Sequence, residues 1–289
     1  MSDSEYTLIS IKNNYNNLHF CTRTYNTLKM ICNSLYLYPY LLPRIFTNSH
    51  LIIDPLKLKS YNWKDKTKGL YVIIHGLLGT PKLSALTIAK YIDDNYHDEF
   101  DIIVPHKGNC TLEQAGNPIL DIIVDFINKH PTKPIHLIGS SNGSRIVSYL
   151  EIVLRTLRPN TKIKITSIGG VYYGSDALYY LKFFKIANCV LHENIISSLT
   201  TGSNESINLI NSMQLNTNIS RTYEFYATAN DWYIPNFNSC YPILNGINDV
   251  TYHEPITGID HVFLGHYLTK RIVDMSVIWM YDNNTDFFN

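Results

Sequence analysis

The chain has 289 residues, 45 % of them apolar, which suits a globular protein with a sizeable core. Its formal net charge is zero and only 17 % of its residues are charged. It therefore lacks the overall basic field that attracts nucleic acid or anionic lipid, and it has no acidic tail.

The cysteines predict a reducing compartment. They are odd in number, far apart in the chain, and form neither a C-x-x-C pair nor a disulfide framework. They are Cys21, Cys32, Cys110, Cys189 and Cys240. The first residues, Met1-Ser-Asp-Ser-Glu-Tyr, lack the basic start and apolar run of a signal peptide, so we expect a cytoplasmic protein. Residues 30–43 are uncharged but too short to span a bilayer, which needs about 20 apolar residues.

Residues 1–50 are rich in Asn and Tyr and give no clear pattern. They are consistent with one or two short helices packed on the main domain, and equally with a solvated start to the chain. Contact of the apolar segment 35–45 with a membrane surface also stays open.

From residue 70 onwards, short apolar runs alternate with segments of helical spacing. The apolar runs predict buried strands at 70–74, 100–104, 134–138 and 163–168. The helical segments predict helices at 81–96, 111–128 and 142–157. The alternation lapses for about 50 residues after Gly170 and resumes with strands at 221–227 and 250–254 and a helix at 262–280. This order predicts an α/β fold with a mostly parallel central sheet flanked by helices on both faces.

The third predicted strand runs directly into Gly139-Ser140-Ser141-Asn142-Gly143, and a helix follows. A G-x-S-x-G sequence in this context is typical of a sharp turn that carries a nucleophilic serine. A side chain two residues before or after the serine would collide with the neighbouring strand or helix, so both positions require glycine. Only Ser141 has glycine at both offsets. The alternative, a phosphate-binding turn, would normally need a Lys or a further Gly pattern.

A nucleophilic serine needs a base, and the base needs an acid to orient it. Asp231 follows the strand at 221–227, and His261 precedes the final helix. Parallel strands end at one edge of a sheet, so both should lie near Ser141. The alternatives are a turn or helix-capping Asp and a buried structural His. His266 is second choice as base because it falls inside the helix, and Asp260 is too close in sequence to orient His261.

An acyl-transfer site also needs donors for the oxyanion of its tetrahedral intermediate. Ile74-His75-Gly76-Leu77 follows the first predicted strand, and its tight turn could aim the N–H of Leu77 at the nucleophile. The second donor would be the N–H of Asn142. We expect His75 to fix the turn and not to act as the base.

These motifs together resemble the α/β-hydrolase superfamily over about residues 65–281. The resemblance rests on His75-Gly76-Leu77-Leu78-Gly79, on the Ser141 motif, on Asp231 with Pro235, and on His261 with Leu264. Segments 167–175 and 198–203 are similar to the lipase and inositol-deacylase-like branch. The chain departs from that branch at three positions. Ser140 stands where the branch usually has His, and Ser144 stands where it has a second Gly. The Pro of the branch's turn is replaced around Val171.

The resemblance implies a catalytic triad of Ser141, Asp231 and His261, with Leu77 and Asn142 as oxyanion donors. It also implies an N-terminal extension at 1–50, a hydrolase domain at 51–289, and a lid insertion at about 171–220, before the acid-bearing strand. Aromatic residues in the lid could form an apolar wall for an acyl or aryl group, or could pack on the sheet. They are Tyr172, Tyr173, Tyr179, Tyr180, Phe183 and Phe184.

The predicted function is hydrolysis of carboxylic esters, lipase-like or carboxylesterase-like, through an acyl-enzyme on Ser141. No metal or organic cofactor is required. The expected substrate is a small-molecule or lipid-like ester, with no nucleic acid partner, no transmembrane segment and an open oligomeric state. The alternative is a catalytically silent α/β-hydrolase fold used for binding or as a scaffold.

Overall fold

The structure of the chain is a computed structural model. It describes residues 3–16, 20–47, 52–53, 61–76, 84–106, 111–175, 193–214, 221–229, 231, 233–234, 237–244 and 249–284. Some residues of the N-terminal segment are described by their backbone alone.

A seven-stranded sheet forms the centre of the molecule. Its strands are β1 (Ile52–Ile53), β2 (Leu70–Ile74), β3 (Asp101–Pro105), β4 (Ile135–Ser140), β5 (Ile163–Ile168), β6 (Arg221–Tyr226) and β7 (Val250–Tyr252). The order across the sheet is β1-β3-β2-β4-β5-β6-β7, and each described pairing is parallel. The strand order reverses at β2, so β4 and its carboxyl end lie in the middle of the sheet. Ligand sites in open α/β sheets form at such carboxyl ends.

The described helices are α1 (Asp3–Asn16), α2 (Phe20–Thr47), α3 (Ala85–Asn95), α4 (Leu112–Lys129), α5 (Asn142–Leu157), α6 (Glu193–Leu199), α7 (Asn204–Gln214) and α8 (His261–Asp282). A short 3₁₀ helix spans Phe237–Cys240. Thr111 begins α4 with a capping box, in which its hydroxyl accepts from Gln114 N and the Gln114 side chain accepts from Thr111 N.

The core consists of two apolar clusters, one on each face of the sheet. Alternate strand residues divide between them: Val72 belongs to the cluster under α4 and α5, whereas Tyr71 and Ile73 belong to the cluster under α3 and α8. This sheet with helices on both faces confirms the predicted fold class.

The sequence located most element ends to within two residues, although α3 begins four residues later than predicted. β2, β5 and α5 begin and end where predicted, and α8 differs by one or two residues. β1 has two residues and left no readable signal. α2 has 28 residues, far longer than the short helices expected, although Pro39 and Pro43 lie within it. Leu8 and Ile11 of α1 are buried in the core, while the division at residue 50 stays a prediction.

The predicted lid segment is described only in part. α6 and α7 contribute buried residues to the core, and the guanidinium of Arg145 in α5 contacts Ser198 and pairs with Glu205 at 3.0 Å. Residues 176–192 lie outside the described residues, and with them Tyr179, Tyr180, Phe183 and Phe184. The lid therefore stays a prediction.

None of the helices described combines the length and apolar character needed to cross a bilayer.

Candidate active site

Ser141 lies at the junction of β4 and α5 with φ 55° and ψ −124°. A positive φ is rare for a residue with a side chain and costs about 1–3 kcal/mol, so it is found mainly where function requires it. The N–H of Ser141 donates to the carbonyl of Ile168 at 2.8 Å, which fixes the turn to the end of β5.

The two glycines of the motif are needed for close packing. A Cβ atom at Gly139 would lie 2.5 Å from the backbone of Ser144, and one at Gly143 would lie 2.2 Å from the carbonyl oxygen of Ile74. Contacts of this length with backbone atoms cannot be relieved by moving a side chain. The Ser144 hydroxyl donates to the Gly139 carbonyl at 2.8 Å and closes the turn.

Asp231 and His261 form a hydrogen bond in which Asp231 Oδ2 lies 2.5 Å from His261 Nδ1. The other carboxylate oxygen, Oδ1, accepts from the backbone N–H groups of Tyr233 at 2.9 Å and Ile234 at 2.7 Å. The two side chains are 1 % and 9 % exposed. The carboxylate of Asp260 caps α8 by accepting a hydrogen bond from Val262 N.

The surroundings of His261 act on its pKa in two directions. Burial lowers the pKa, while the charge of Asp231, the hydrogen bond to it and the more distant Asp260 raise it. The net pKa lies above the ordinary value. Because Nδ1 faces a carboxylate, which only accepts, Nδ1 carries the proton and Nε2 keeps its lone pair. This is the tautomer that a general base requires.

Ser141 and His261 both contact the end of β5. Ser141 N bonds to Ile168, and the next residue, Gly169, has φ 58° and lies against the imidazole of His261. A Cβ at Gly169 would be 3.0 Å from both Cε1 and Nδ1 of the ring. Ser141, Asp231 and His261 therefore all lie at the carboxyl edge of the sheet.

Thr228 connects the loop that carries Asp231 with the loop that carries His261. Its side chain is fully buried, and its hydroxyl lies 2.5 Å from the carbonyl of Ile259 and 3.1 Å from that of Ile256. The backbone pairs here too, since Thr228 and Ile256 form an isolated parallel bridge. One hydroxyl thus holds the segment that leads into α8.

The end of β2 lies beside the serine, as expected for an oxyanion site. A Cβ at Gly76 would be 2.8 Å from Ser141 Cβ and 3.4 Å from its Oγ. His75 Nδ1 lies 2.8 Å from the Gly76 carbonyl and donates to it, which fits a role in fixing the turn. Asn142 is the first residue of α5, where backbone N–H groups have no partner within the helix. Leu77 lies outside the described residues.

The two described aromatic residues proposed for the substrate wall differ in position. Tyr172 is fully buried in the core, with its ring against Phe225 and its hydroxyl 3.2 Å from that of Ser148. It has no surface to offer a substrate, which favours the packing alternative for this residue. Tyr173 is half-buried at the margin of the same cluster.

Sequence reasoning missed the supporting residues Gly169 and Thr228. The pair Gly169-Gly170 at a strand end is a signal for a close approach, but it does not say which residue makes that approach. Thr228 gave no signal, because a threonine after a strand is common. In the described part of the chain, no three His, Cys, Asp or Glu side chains are grouped as metal ligands.

No protein-family model and no curated protein matches the chain. Solved structures do match it. The lipase BlEst2 of Bacillus licheniformis has a TM-score of 0.54 and 14 % identity, over 76 % of this chain and 94 % of that one. Est1E of Butyrivibrio proteoclasticus has a TM-score of 0.51 and 13 % identity, over 73 % and 88 %. Phospholipase PlaB of Legionella pneumophila has a TM-score of 0.44 and 12 % identity, over 55 % of this chain and 39 % of its own length.

The first two matches cover almost the whole of the matched chains, and their TM-scores exceed 0.5. At this level of identity the two matches establish the fold but not the reaction. The chain has the fold of the α/β-hydrolases, as the resemblance of its motifs implied.

Proposed function

We propose that this protein is a serine hydrolase that cleaves carboxylic esters through an acyl-enzyme on Ser141. The observation that carries the proposal is the buried Asp231–His261 hydrogen bond, at the sheet edge where a strained serine turn ends. A strained serine and a carboxylate-bound imidazole at the same sheet edge are the two groups that nucleophilic catalysis requires.

The reaction follows from these positions. His261 Nε2 takes the proton of Ser141 Oγ as the oxygen attacks the ester carbonyl, and Asp231 stabilises the imidazolium that forms. The tetrahedral intermediate collapses when His261 returns the proton to the leaving alcohol, and an ester to Ser141 remains. Water, deprotonated by His261, then attacks this ester; His261 returns the proton to Ser141 Oγ as the ester bond breaks, and the acid is released.

Two backbone donors are proposed for the oxyanion. The N–H of Asn142 lies at the N-terminus of α5, where the helix dipole also favours negative charge. The N–H of Leu77 is the second. Each such donor contributes about 3 kcal/mol in serine hydrolases studied by mutagenesis.

The substrate class is a small-molecule or lipid-like ester. The BlEst2 match is a lipase by name, which supports this class, while the acyl length is left to experiment. A series of p-nitrophenyl esters from acetate to long-chain acyl groups measures the preferred length.

Labelling with a fluorophosphonate probe tests the nucleophile. We expect the wild-type protein to be labelled at one serine and Ser141→Ala to lose the label. Ser140→Ala is the matched control, since Ser140 adjoins Ser141 but belongs to β4, and it should keep labelling.

Persistent labelling of Ser141→Ala would mean that another residue is the nucleophile. A folded wild-type protein that neither reacts with the probe nor hydrolyses any ester of the series would favour the silent binding or scaffold alternative.

A further inference from the structure

Tyr233 is an exposed aromatic residue beside the imidazole of His261. The centroids of the two rings lie 5.6 Å apart, and the ring planes are inclined by 38°. Tyr233 is 53 % exposed, whereas the neighbouring imidazole and the carboxylate of Asp231 are buried. An exposed aromatic ring next to reactive groups can bury its apolar surface against a bound ligand.

Backbone hydrogen bonds on both sides hold Tyr233 in this position. Its N–H donates to Asp231 Oδ1 at 2.9 Å, and its carbonyl accepts from the Ser175 hydroxyl at 2.6 Å. Ser175 is itself buried, in the segment that follows β5. Because both bonds use the backbone of Tyr233, a substitution of its side chain leaves them available.

The order of the strands places Tyr233 on one side of the nucleophile. Gly76, in the proposed oxyanion turn, follows β2, and Ser141 follows β4. The imidazole of His261 lies against Gly169 at the end of β5, and Tyr233 follows β6. These strands are neighbours in the order β2-β4-β5-β6, so the oxyanion turn and Tyr233 lie on opposite sides of the serine.

The chemistry of ester cleavage determines which part of a substrate meets the Tyr233 side, and this step rests on the proposed function. His261 Nε2 must be within hydrogen-bond reach of the alcohol oxygen in order to protonate it as it leaves. The carbonyl oxygen points to the oxyanion donors on the other side. The alcohol part of the ester therefore lies on the side of the imidazole, where the ring of Tyr233 is.

We propose that Tyr233 binds the alcohol part of the substrate, and that the protein prefers esters whose alcohol carries a flat apolar group such as an aryl ring. Such a group packs on a tyrosine ring in an offset or edge-to-face arrangement and covers its exposed surface. A small alcohol such as methanol leaves that surface in water.

The benzyl and methyl esters of one acid, butyric acid, test this preference. Benzyl alcohol and methanol have similar acidity, so they differ mainly in the group that would meet Tyr233 and not in their quality as leaving groups. We expect the wild-type protein to have the higher kcat/KM on benzyl butyrate. In Tyr233→Ala the ratio of the two kcat/KM values should fall by about tenfold.

Two variants and one further series serve as controls. Tyr233→Phe keeps the ring and should keep the ratio, and Tyr6→Ala removes a tyrosine of α1 that is 67 % exposed and should leave the ratio unchanged. The acyl-length profile on p-nitrophenyl esters should keep its shape in Tyr233→Ala, since the leaving group is constant in that series. Circular dichroism and fluorophosphonate labelling check that each variant is folded and has a reactive serine.

An unchanged benzyl-to-methyl ratio in Tyr233→Ala would overturn the proposal. So would a larger loss on the methyl ester, because the ring would then only support His261, and so would the same loss of ratio in Tyr233→Phe or an altered acyl-length profile in Tyr233→Ala. A folded wild type that is neither labelled nor active on any ester would reject the proposed function, and this inference with it. An active wild type whose ratio does not depend on Tyr233 would reject this inference alone.

Discussion

Asp231 combines two roles that the sequence offered as alternatives. One carboxylate oxygen organises its own turn by accepting from Tyr233 and Ile234, and the other accepts from His261. Because the backbone holds Oδ1, the carboxylate cannot rotate away from the imidazole without breaking its turn. A turn-forming Asp and a histidine-orienting Asp are thus compatible in one residue.

Replacing Asp231 by Asn should affect both rate and pH dependence. The variant loses the charge that raises the pKa of His261, while burial of the ring, which lowers it, remains. In the wild type, kcat/KM should fall as the pH drops below a pKa higher than the ordinary histidine value of about 6.5, since His261 must be neutral to act as base. In Asp231→Asn this acid limb should move to lower pH, and kcat should fall by roughly 10⁴ because the wrong tautomer is favoured.

A pH profile of kcat/KM for both proteins checks this expectation. An acid limb that stays in place in the variant would mean that Asp231 does not set the pKa of the base.

Thr228→Val tests whether the Thr228 hydroxyl positions His261, because the substitution removes the hydroxyl and nearly keeps the packing of the side chain. The side chains have similar shape, but valine cannot donate to the carbonyls of Ile259 and Ile256, so the segment before α8 loses its attachment. A small displacement of His261 should lower kcat by about 10- to 100-fold with little change in KM.

Thr228→Ser keeps the hydroxyl and should restore most of the rate. Steady-state kinetics of the two variants, with urea unfolding of each, measure this. If serine and valine lower kcat equally, the hydroxyl does not position the base.

At the scale of elements, the ends of strands determine the site more than the strands themselves. Gly169 ends the hydrogen-bonded register of β5, and its left-handed conformation with no side chain leaves room for the imidazole. The sequence predicted β5 to the residue but could not predict this contact, because the partner ring arrives from a helix 92 positions later in the chain, His261 minus Gly169.

Gly169→Ala should therefore impair activity beyond its cost in backbone strain. Gly202 is a matched control, because it also has a positive φ, 73° against 58°, yet a Cβ there would meet nothing within 4 Å. Both substitutions should destabilise the protein by about 1–2 kcal/mol, the cost of a left-handed alanine.

Only Gly169→Ala should also lower kcat, since its methyl group displaces the His261 ring. Ester hydrolysis and urea unfolding of the two variants provide the comparison. Equal kcat in both would show that the ring accommodates the methyl group.

The sequence predicts the strands and helices well but not the contacts made at their ends. Strands buried on both faces and helices with apolar stripes repeat at fixed periods, so β2, α5 and β5 could be predicted from local sequence. Ser141, Asp231 and His261 could be proposed as site residues because each follows a readable strand, and their roles stay a prediction. β1 and the contacts of Gly169 and Thr228 could not be predicted, since they depend on partners distant in the chain.

For the molecule as a whole, a buried ionic cluster joins α5 to β6. The fully buried Glu151 accepts from Arg155 at 2.6 and 3.1 Å and from Arg221 at 3.1 Å. Arg221 also donates to the carbonyl of Thr161. The cluster links segments 70 residues apart and closes the end of the sheet opposite to the active edge.

Glu151→Gln should lower the free energy of unfolding by about 3 kcal/mol or more, because it removes the buried negative charge to which two guanidinium groups donate. Asp94→Asn is the control with the same loss of charge. Its partner Lys90 lies at 2.7 Å on an exposed helix face, and such pairs contribute about 1 kcal/mol or less. Urea denaturation measures the free energy of unfolding of both variants. Similar losses would mean that the buried charge of Glu151 stabilises the protein no more than an exposed ion pair does.

The packing of α8 on α3 has a consequence for biosynthesis. These helices cover the same face of the sheet, and the hydroxyl of Tyr281 bonds to Glu99, which precedes β3. During translation, Tyr71 and Ile73 leave the ribosome nearly 200 residues before the helix that shields them. Until that helix emerges, the part of this face that α3 does not cover is apolar surface exposed to water, and the nascent chain must rely on chaperones or on rapid synthesis to escape aggregation.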